Sequence, residues 1–299
     1  MGDFLTHLFH DKQMCVSTLA GYRSVLLNTL KDLTGADFTA NSHLKKLLDN
    51  FKVERPRSLR SLPQWDLALV MRRLTRAPFE PLVSAPMQAL SWKTAFLLAL
   101  ASAKRRSELR AFSYRVLHPE NWSSVTLRPL PAFVAKTEVH GRPETRLQEV
   151  TLQGLASFAG DLTEDKKLCP VRAIKCYLSR SKEFRKGRQE LFVPYKSGAI
   201  QSIAPATISS WIQKTIKLAY DDVTNEEAAL GQARAHDLRA VAASWNLHCS
   251  IPLSEILKAA QWRCHTTFTS FYLQDMSLQE EDIWRLGPIC TGQSITSST

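Results

Sequence analysis

The chain has 299 residues, long enough for one domain of about 200 residues and a smaller module. Apolar residues make up 44%, enough to fill a real core. Lys and Arg outnumber Asp and Glu by 39 to 28, and the resulting +11 favours a polyanionic partner, nucleic acid being the usual one. The six cysteines include no C-x-x-C pair, so neither a zinc site nor a disulfide framework is expected and a reducing compartment fits best. No run approaches ~18 apolar residues and the start lacks a signal pattern, so neither a membrane span nor secretion is expected.

Val16, Leu19, Tyr22, Leu26, Leu30 and Leu33 keep a helical rhythm, and Asn41-Ser42 can cap a second helix with Leu44, Leu47, Leu48 and Phe51 on one face. Residues 1–53 read as a short helical domain. Two prolines and three arginines break the periodicity over Glu54 to Pro63, a basic linker suited to lie along a phosphate backbone. From Gln64 a helix is predicted through Trp65, Leu67, Leu69, Val70 and Leu74. Trp92 to Ala103 is apolar on nearly every side and predicts a buried helix. Three extended pieces follow, at Val125 to Leu130, Ala132 to Lys136 and Leu147 to Leu152, with a turn at His140-Gly141-Arg142-Pro143. The rest reads as helical: 171–178, 207–219, 236–247, 253–260, 266–273 and a short piece at 278–286. A Ser/Thr-rich tail over 291–299 is expected to be disordered. The fold class is therefore mainly α with a small antiparallel β-sheet, the larger domain covering 64–290.

Chemistry concentrates in a few places. His236 and Arg239, in Ala235-His236-Asp237-Leu238-Arg239, stand three apart and share one helix face, so they can grip one phosphate. Tyr272 lies downstream as an attacking oxygen. A further arginine, Arg105 or its neighbour Arg106, follows the buried helix in Lys104-Arg105-Arg106-Ser107-Glu108-Leu109. Breaking a phosphodiester needs a nucleophile, charge on the non-bridging oxygens, a proton donor for the leaving oxygen and a firmly held phosphate. Guanidinium forks match phosphate oxygens and stay charged at any pH. Cations of this kind make a metal unnecessary, and no metal ligand set or cofactor motif is read from the sequence. Cys264-His265 has no partner pair and reads as structural or incidental. Tyr220-Asp221-Asp222 lacks the hairpin setting of a catalytic acidic pair and reads as an acidic loop.

The order Arg, Lys, His-x-x-Arg, Trp, Tyr resembles the tyrosine recombinase (phage integrase-like) family across residues 64 to 275. Arg105, Glu108 and Leu109 match its Arg-x-x-Glu-Leu signature. Lys136 resembles the sheet-borne lysine, His236 and Arg239 the His-x-x-Arg box, Trp262 the following His-or-Trp position and Tyr272 the nucleophile. Cys169-Pro170-Val171-Arg172-Ala173, Leu191-Phe192-Val193 and Thr267-Phe268-Thr269-Ser270-Phe271-Tyr272-Leu273 are similar to recombinases of DIRS-type retrotransposons.

The resemblance implies a core-binding-like domain before the catalytic one, here shorter than is usual. It implies cleavage of double-stranded DNA through a 3′-phosphotyrosine, with Arg105 and Arg239 on the phosphate and Lys136 protonating the leaving oxygen. His236 would assist proton transfer, Trp262 would bond a phosphate oxygen and Glu108 would brace Arg105. It further implies a synaptic tetramer of this chain on DNA, a nuclear location, and no cofactor. Two rival expectations remain: an inactive, domesticated DNA-binding protein of the same fold, and a type IB topoisomerase-like relaxing enzyme.

Overall fold

The computed structural model describes residues 1–39, 41–56, 65–155, 166–195, 201–221, 235–248, 250–262 and 265–273. The chain divides into two compact units, Met1–Arg60 and Ser61–Thr299. It is mainly helical, with one two-stranded antiparallel sheet among the described residues. None of the described helices is long and apolar enough to cross a membrane.

The first unit contains α1 (Gly2–His10), α2 (Val16–Thr34) and α3 (Ser42–Glu54). The Asn41 side chain accepts from the Leu44 N–H at 3.1 Å, capping α3, and that helix continues through Glu54, the first residue of the expected linker. Leu5, Leu8, Phe9, Leu19, Leu48 and Phe51 form the core of this unit. Phe9 and Phe51 stack with centroids 4.1 Å apart, and the Arg55 guanidinium lies 4.1 Å from the centroid of the Phe9 ring. The expected face of α2 is only partly buried: Leu19 is covered, while Tyr22 and Leu33 are exposed. At 19 residues this helix is longer than its 9- and 13-residue neighbours, so one side of it outruns their cover.

The second unit is built around α5 (Met87–Ser102), buried at almost every position as the all-round apolar sequence predicts. Its hydroxyl residues turn inward on the helix itself: Ser91, Thr94 and Ser102 donate to the carbonyls of Met87, Leu90 and Leu98. Around it lie α4 (Leu67–Leu74), α6 (Arg106–Arg110), α7 (Pro170–Arg180), α8 (Lys182–Arg185), α9 (Pro205–Tyr220), α10 (Ala235–His248), α11 (Leu253–Ala259) and α12 (His265–Phe271). Tyr220 closes α9, and its hydroxyl accepts from the Asp66 N–H at 2.7 Å, a structural role; Asp222 of the expected acidic loop lies outside the described residues.

Strands β1 (Ser124–Leu127) and β2 (Val150–Gln153) pair antiparallel, with buried Val125 opposite buried Leu152. The expected middle strand at 132–136 is absent. Pro129 and Pro131 remove ladder donors, and the chain folds instead through tight turns at Leu130–Phe133 and Ala135–Glu138. The connection between β1 and β2 is therefore an arm of turns, closed at its far end by Gly141 in the left-handed region (φ 77°). Residues 278–286 and 291–299 lie outside the described residues.

One buried ion cluster ties these parts together. Glu80 accepts two parallel bonds from Arg172 of α7, at 2.7 and 2.9 Å, and pairs with Lys93 of α5, whose Nζ also donates to the Leu74 carbonyl at 2.7 Å. Burial alone would raise the Glu80 carboxyl, but the bonds from Arg172 and Lys93 outweigh it and hold it below its ordinary range. Burial likewise pushes the Lys93 ammonium down to about 8 against the pull of Glu80.

Removing one partner of such a cluster leaves buried charge behind, so Glu80→Gln should cost about 3–5 kcal/mol in urea unfolding. Because the folded carboxyl titrates below its unfolded value, its contribution is present above about pH 5 and is lost as pH falls. Urea midpoints measured at successive pH should show that acid slope in the wild type and a flatter one in the variant.

Candidate functional site

The site begins where α5 ends. Ala103 adopts a left-handed conformation (φ 48°), which reverses the chain and delivers Lys104 and Arg105 at the start of α6. Glu108, one turn into α6, is 2% exposed and reaches back to both ends of Arg105. Its carboxylate accepts from the Arg105 N–H at 2.8 Å and from the guanidinium at 2.6 Å. The same carboxylate lies 3.5 Å from the Arg239 guanidinium on α10. Two arginines far apart in sequence thus share one buried anion. Arg106 points elsewhere and donates to Ser209 of α9 at 3.2 Å, which leaves Arg105 as the arginine facing the site.

Arg239 is 2% exposed and enclosed on its remaining sides. It donates to the Ala260 carbonyl, and its guanidinium carbon lies 4.8 Å over the Trp262 ring and 5.7 Å from the Tyr272 ring. Trp262 and Tyr272 are themselves 4.5 Å apart by centroid, and Phe268 covers the other part of Trp262 at 5.4 Å. Tyr272 follows the last turn of α12, where its N–H donates to the Phe268 carbonyl and its own carbonyl accepts from the Ser244 hydroxyl at 3.1 Å. Ser244 therefore anchors the tyrosine to the helix that carries Arg239. The Trp262 indole N–H is buried with no hydrogen-bond partner among the described residues. Trp65 and Trp92 share that state elsewhere, so it is the place of Trp262 on the Arg239 guanidinium that gives its donor a use.

Five of the residues expected from sequence, Arg105, Glu108, Arg239, Trp262 and Tyr272, come together in this way. His236 has its backbone in the first turn of α10, one turn ahead of Arg239, and its side chain lies outside the described residues. Lys136 is not in the cluster. It is exposed on the arm between β1 and β2, in a turn where a strand was expected. The residue after it, Thr137, lines a cleft of about 430 Å³ together with Arg142 and Thr145 of the arm and Lys258, Gln261 and Trp262 on the facing side. The arm therefore borders the tryptophan end of the site.

Two residues carry weight that sequence reasoning did not assign. Lys104 is 5% exposed, and its Nζ donates to the Gln261 side chain at 2.9 Å. Burial pushes its ammonium down to about 8, opposed by Glu108 and aided by Arg239 and Arg105. Gln261 also donates to the Arg146 carbonyl of the arm at 2.8 Å, and it sits in the left-handed region at φ 52°. The available signal was local: a lysine placed between an all-apolar helix and a candidate arginine, and a glutamine directly before the candidate tryptophan.

Compared with known proteins, the chain matches no family model and no curated sequence.

Neutralising Glu108 would leave Arg105 and Arg239 facing each other with no shared counter-charge. Glu108→Gln should therefore lower the unfolding free energy by about 3–5 kcal/mol, read from urea midpoints, although the substitution conserves size.

Proposed function

We propose that this chain cleaves and rejoins double-stranded DNA by phosphoryl transfer to a tyrosine, in the manner of the tyrosine recombinases, serving integration of a mobile element. The observation that carries the proposal is the shared carboxylate of Glu108, which holds Arg105 and Arg239 together beside Trp262 and Tyr272. An enclosed pair of guanidiniums next to a tyrosine is a phosphate clamp with a nucleophile at its edge.

In this reading the Tyr272 oxygen attacks phosphorus and gives up its proton, His236 being the expected acceptor. The bond to the 5′ oxygen breaks, and that oxygen leaves as a hydroxyl after taking a proton from Lys136. Arg105 and Arg239 bind the non-bridging oxygens, and the Trp262 N–H donates to one of them. The phosphate becomes a 3′-phosphotyrosine, so bond energy is conserved and no ATP is consumed. Attack by a partner strand's 5′-hydroxyl reverses the steps. Lys136 is exposed on its arm, which suits a proton donor that meets the leaving oxygen only once DNA fills the adjacent cleft. Duplex DNA is the partner that the +11 charge favours. Strand exchange in this manner calls for a synaptic tetramer of the chain acting in the nucleus.

A second reading has one observation in its favour. Tyr272 is partly buried against Trp262 and the Arg239 guanidinium, a packing that also serves a DNA-binding protein of this design that no longer cuts.

Covalent trapping separates the two. On nicked duplexes built from the DNA flanking the coding region, wild type should give a protein–DNA adduct on a denaturing gel and Tyr272→Phe none. Arg239→Ala should slow adduct formation by about 100-fold or more. Binding without any adduct from the wild type would favour the non-cutting reading, and equal adducts from wild type and Tyr272→Phe would remove Tyr272 as nucleophile.

A further inference from the structure

The proposed reaction gives Lys136 a task at the scissile bond, yet Lys136 stands on the arm and outside the arginine cluster. A proton donor must come within hydrogen-bond reach of the leaving oxygen. Something must therefore set the arm against the cluster. Phe133, Ala135 and Leu147 bury apolar surface and press the arm onto the body of the unit. Apolar contact has no direction, so it holds the arm without fixing its orientation. Hydrogen bonds carry direction, and Gln261 supplies one.

Gln261 directly precedes Trp262, and both ends of its amide are engaged. Its Oε1 accepts from Lys104 Nζ at 2.9 Å, next to Arg105 in the chain, and its Nε2 donates to the Arg146 carbonyl of the arm at 2.8 Å. An ammonium only donates and a carbonyl only accepts, so the amide fits one way round. A carboxylate of the same size could not make both bonds. The Gln261 backbone is left-handed at φ 52°, which glycine adopts freely and other residues do not. The position thus carries a bridging side chain where the backbone alone favours none.

From Arg146 the connection continues inside the arm. The Arg146 guanidinium lies 3.4 Å from the Glu138 carboxylate, which accepts from the Ala135 N–H at 3.1 Å. The Glu138 N–H in turn donates to the Ala135 carbonyl at 2.8 Å, closing the turn that carries Lys136. Gln148 donates to the same Arg146 carbonyl at 3.1 Å, so the arm also holds that acceptor from its own side. Lys104, Gln261, Arg146 and Glu138 thus run from the start of α6 to the turn of Lys136.

We propose that Gln261 is a positioning residue for proton delivery, a clasp that docks the arm so that Lys136 meets the leaving 5′ oxygen. The inference rests on the phosphoryl-transfer reading. In the step concerned, the bond from the Tyr272 oxygen to phosphorus forms and the bond from phosphorus to the 5′ oxygen breaks. The electron pair of the broken bond stays on that oxygen, which takes its proton from Lys136. Sulfur in that place leaves as a thiolate, whose conjugate pKa of about 8.5 removes the need for a proton.

The test compares adduct formation on two duplexes, one with an ordinary scissile phosphodiester and one with sulfur as the bridging 5′ atom. On the phosphodiester, Lys136→Met should be slower than wild type by on the order of 100-fold and Gln261→Met by about tenfold or more. On the sulfur duplex both should come within about threefold of wild type. Arg239→Ala should stay slow on both, because charge on the non-bridging oxygens is needed whichever atom leaves. Without DNA, trypsin should cut the arm after Lys136 about fivefold faster in Gln261→Met, the factor for one lost hydrogen bond.

A wild-type rate from Gln261→Met on the phosphodiester, while Lys136→Met is slow and recovers with sulfur, would overturn this inference alone. Slowness of Gln261→Met on both duplexes would overturn it too, by placing the residue with the phosphate clamp. Unchanged cleavage of the arm would remove the clasp. If Gln261→Met shows no cooperative melt, Glu138→Ala decides: it should be slow on the phosphodiester and recover with sulfur, and failure of either overturns the proposal. A wild-type adduct with no sulfur recovery in Lys136→Met removes Lys136 as donor and this inference with it, leaving the Tyr272 chemistry standing. No adduct from DNA-bound wild type on either duplex fails the parent reading and this one together.

Discussion

The carboxylate of Glu108 is the point on which the site closes. It lies one turn inside α6, too deep for water to share, and satisfies an arginine from its own helix and another from α10. A buried carboxylate is costly unless cations meet it, and buried guanidiniums are costly unless an anion meets them. Each therefore requires the other. That mutual requirement fixes α6 against α10 and orients both arginine planes before any ligand arrives. Arg239, once held, becomes the surface on which Trp262 and Tyr272 stack, so the positions of two aromatic rings follow from one ion pair.

Three backbone turns in the left-handed region support this arrangement, at Ala103, Ser250 and Gln261. None is glycine. Ala103 ends the buried helix and presents Lys104 and Arg105; Ser250 separates α10 from α11; Gln261 aims Trp262. Each places a chain reversal directly before or between elements that contribute to the cluster. Local strain there is sustained by the packing of α5, whose buried faces meet α7, α9 and α10 at once.

Much of this was legible in the sequence, for identifiable reasons. The all-apolar run at 92–103 could only be a buried helix, and the helices near 171–178, 207–219, 236–247 and 253–260 show the 3.6-residue rhythm that packing one face requires. Arg105 with Glu108 was visible because a three-residue spacing at a helix start brings side chains together. The strand at 132–136 was misread because the alternation of apolar residues outweighed two prolines just upstream, which took away the donors a third strand needs. Lys104 and Gln261 escaped notice for a different reason. Their importance lies in a contact spanning more than half the chain, and neither periodicity nor spacing encodes which residue a buried amine will face.

The first unit closes on a different balance. Its core rests on six side chains, and α2 buries few of its 19 residues while Tyr22, Val25 and Leu33 stay in water. Ordering three helices costs conformational entropy of the same size as so small a core returns. A small unit of this kind has little stability to spare, and whatever attaches to its folded form alone adds to that stability by mass action. For those helices, a partner that grips the folded form alone acts on stability and occupancy together, so binding is readable as a rise in the unit's own melting temperature.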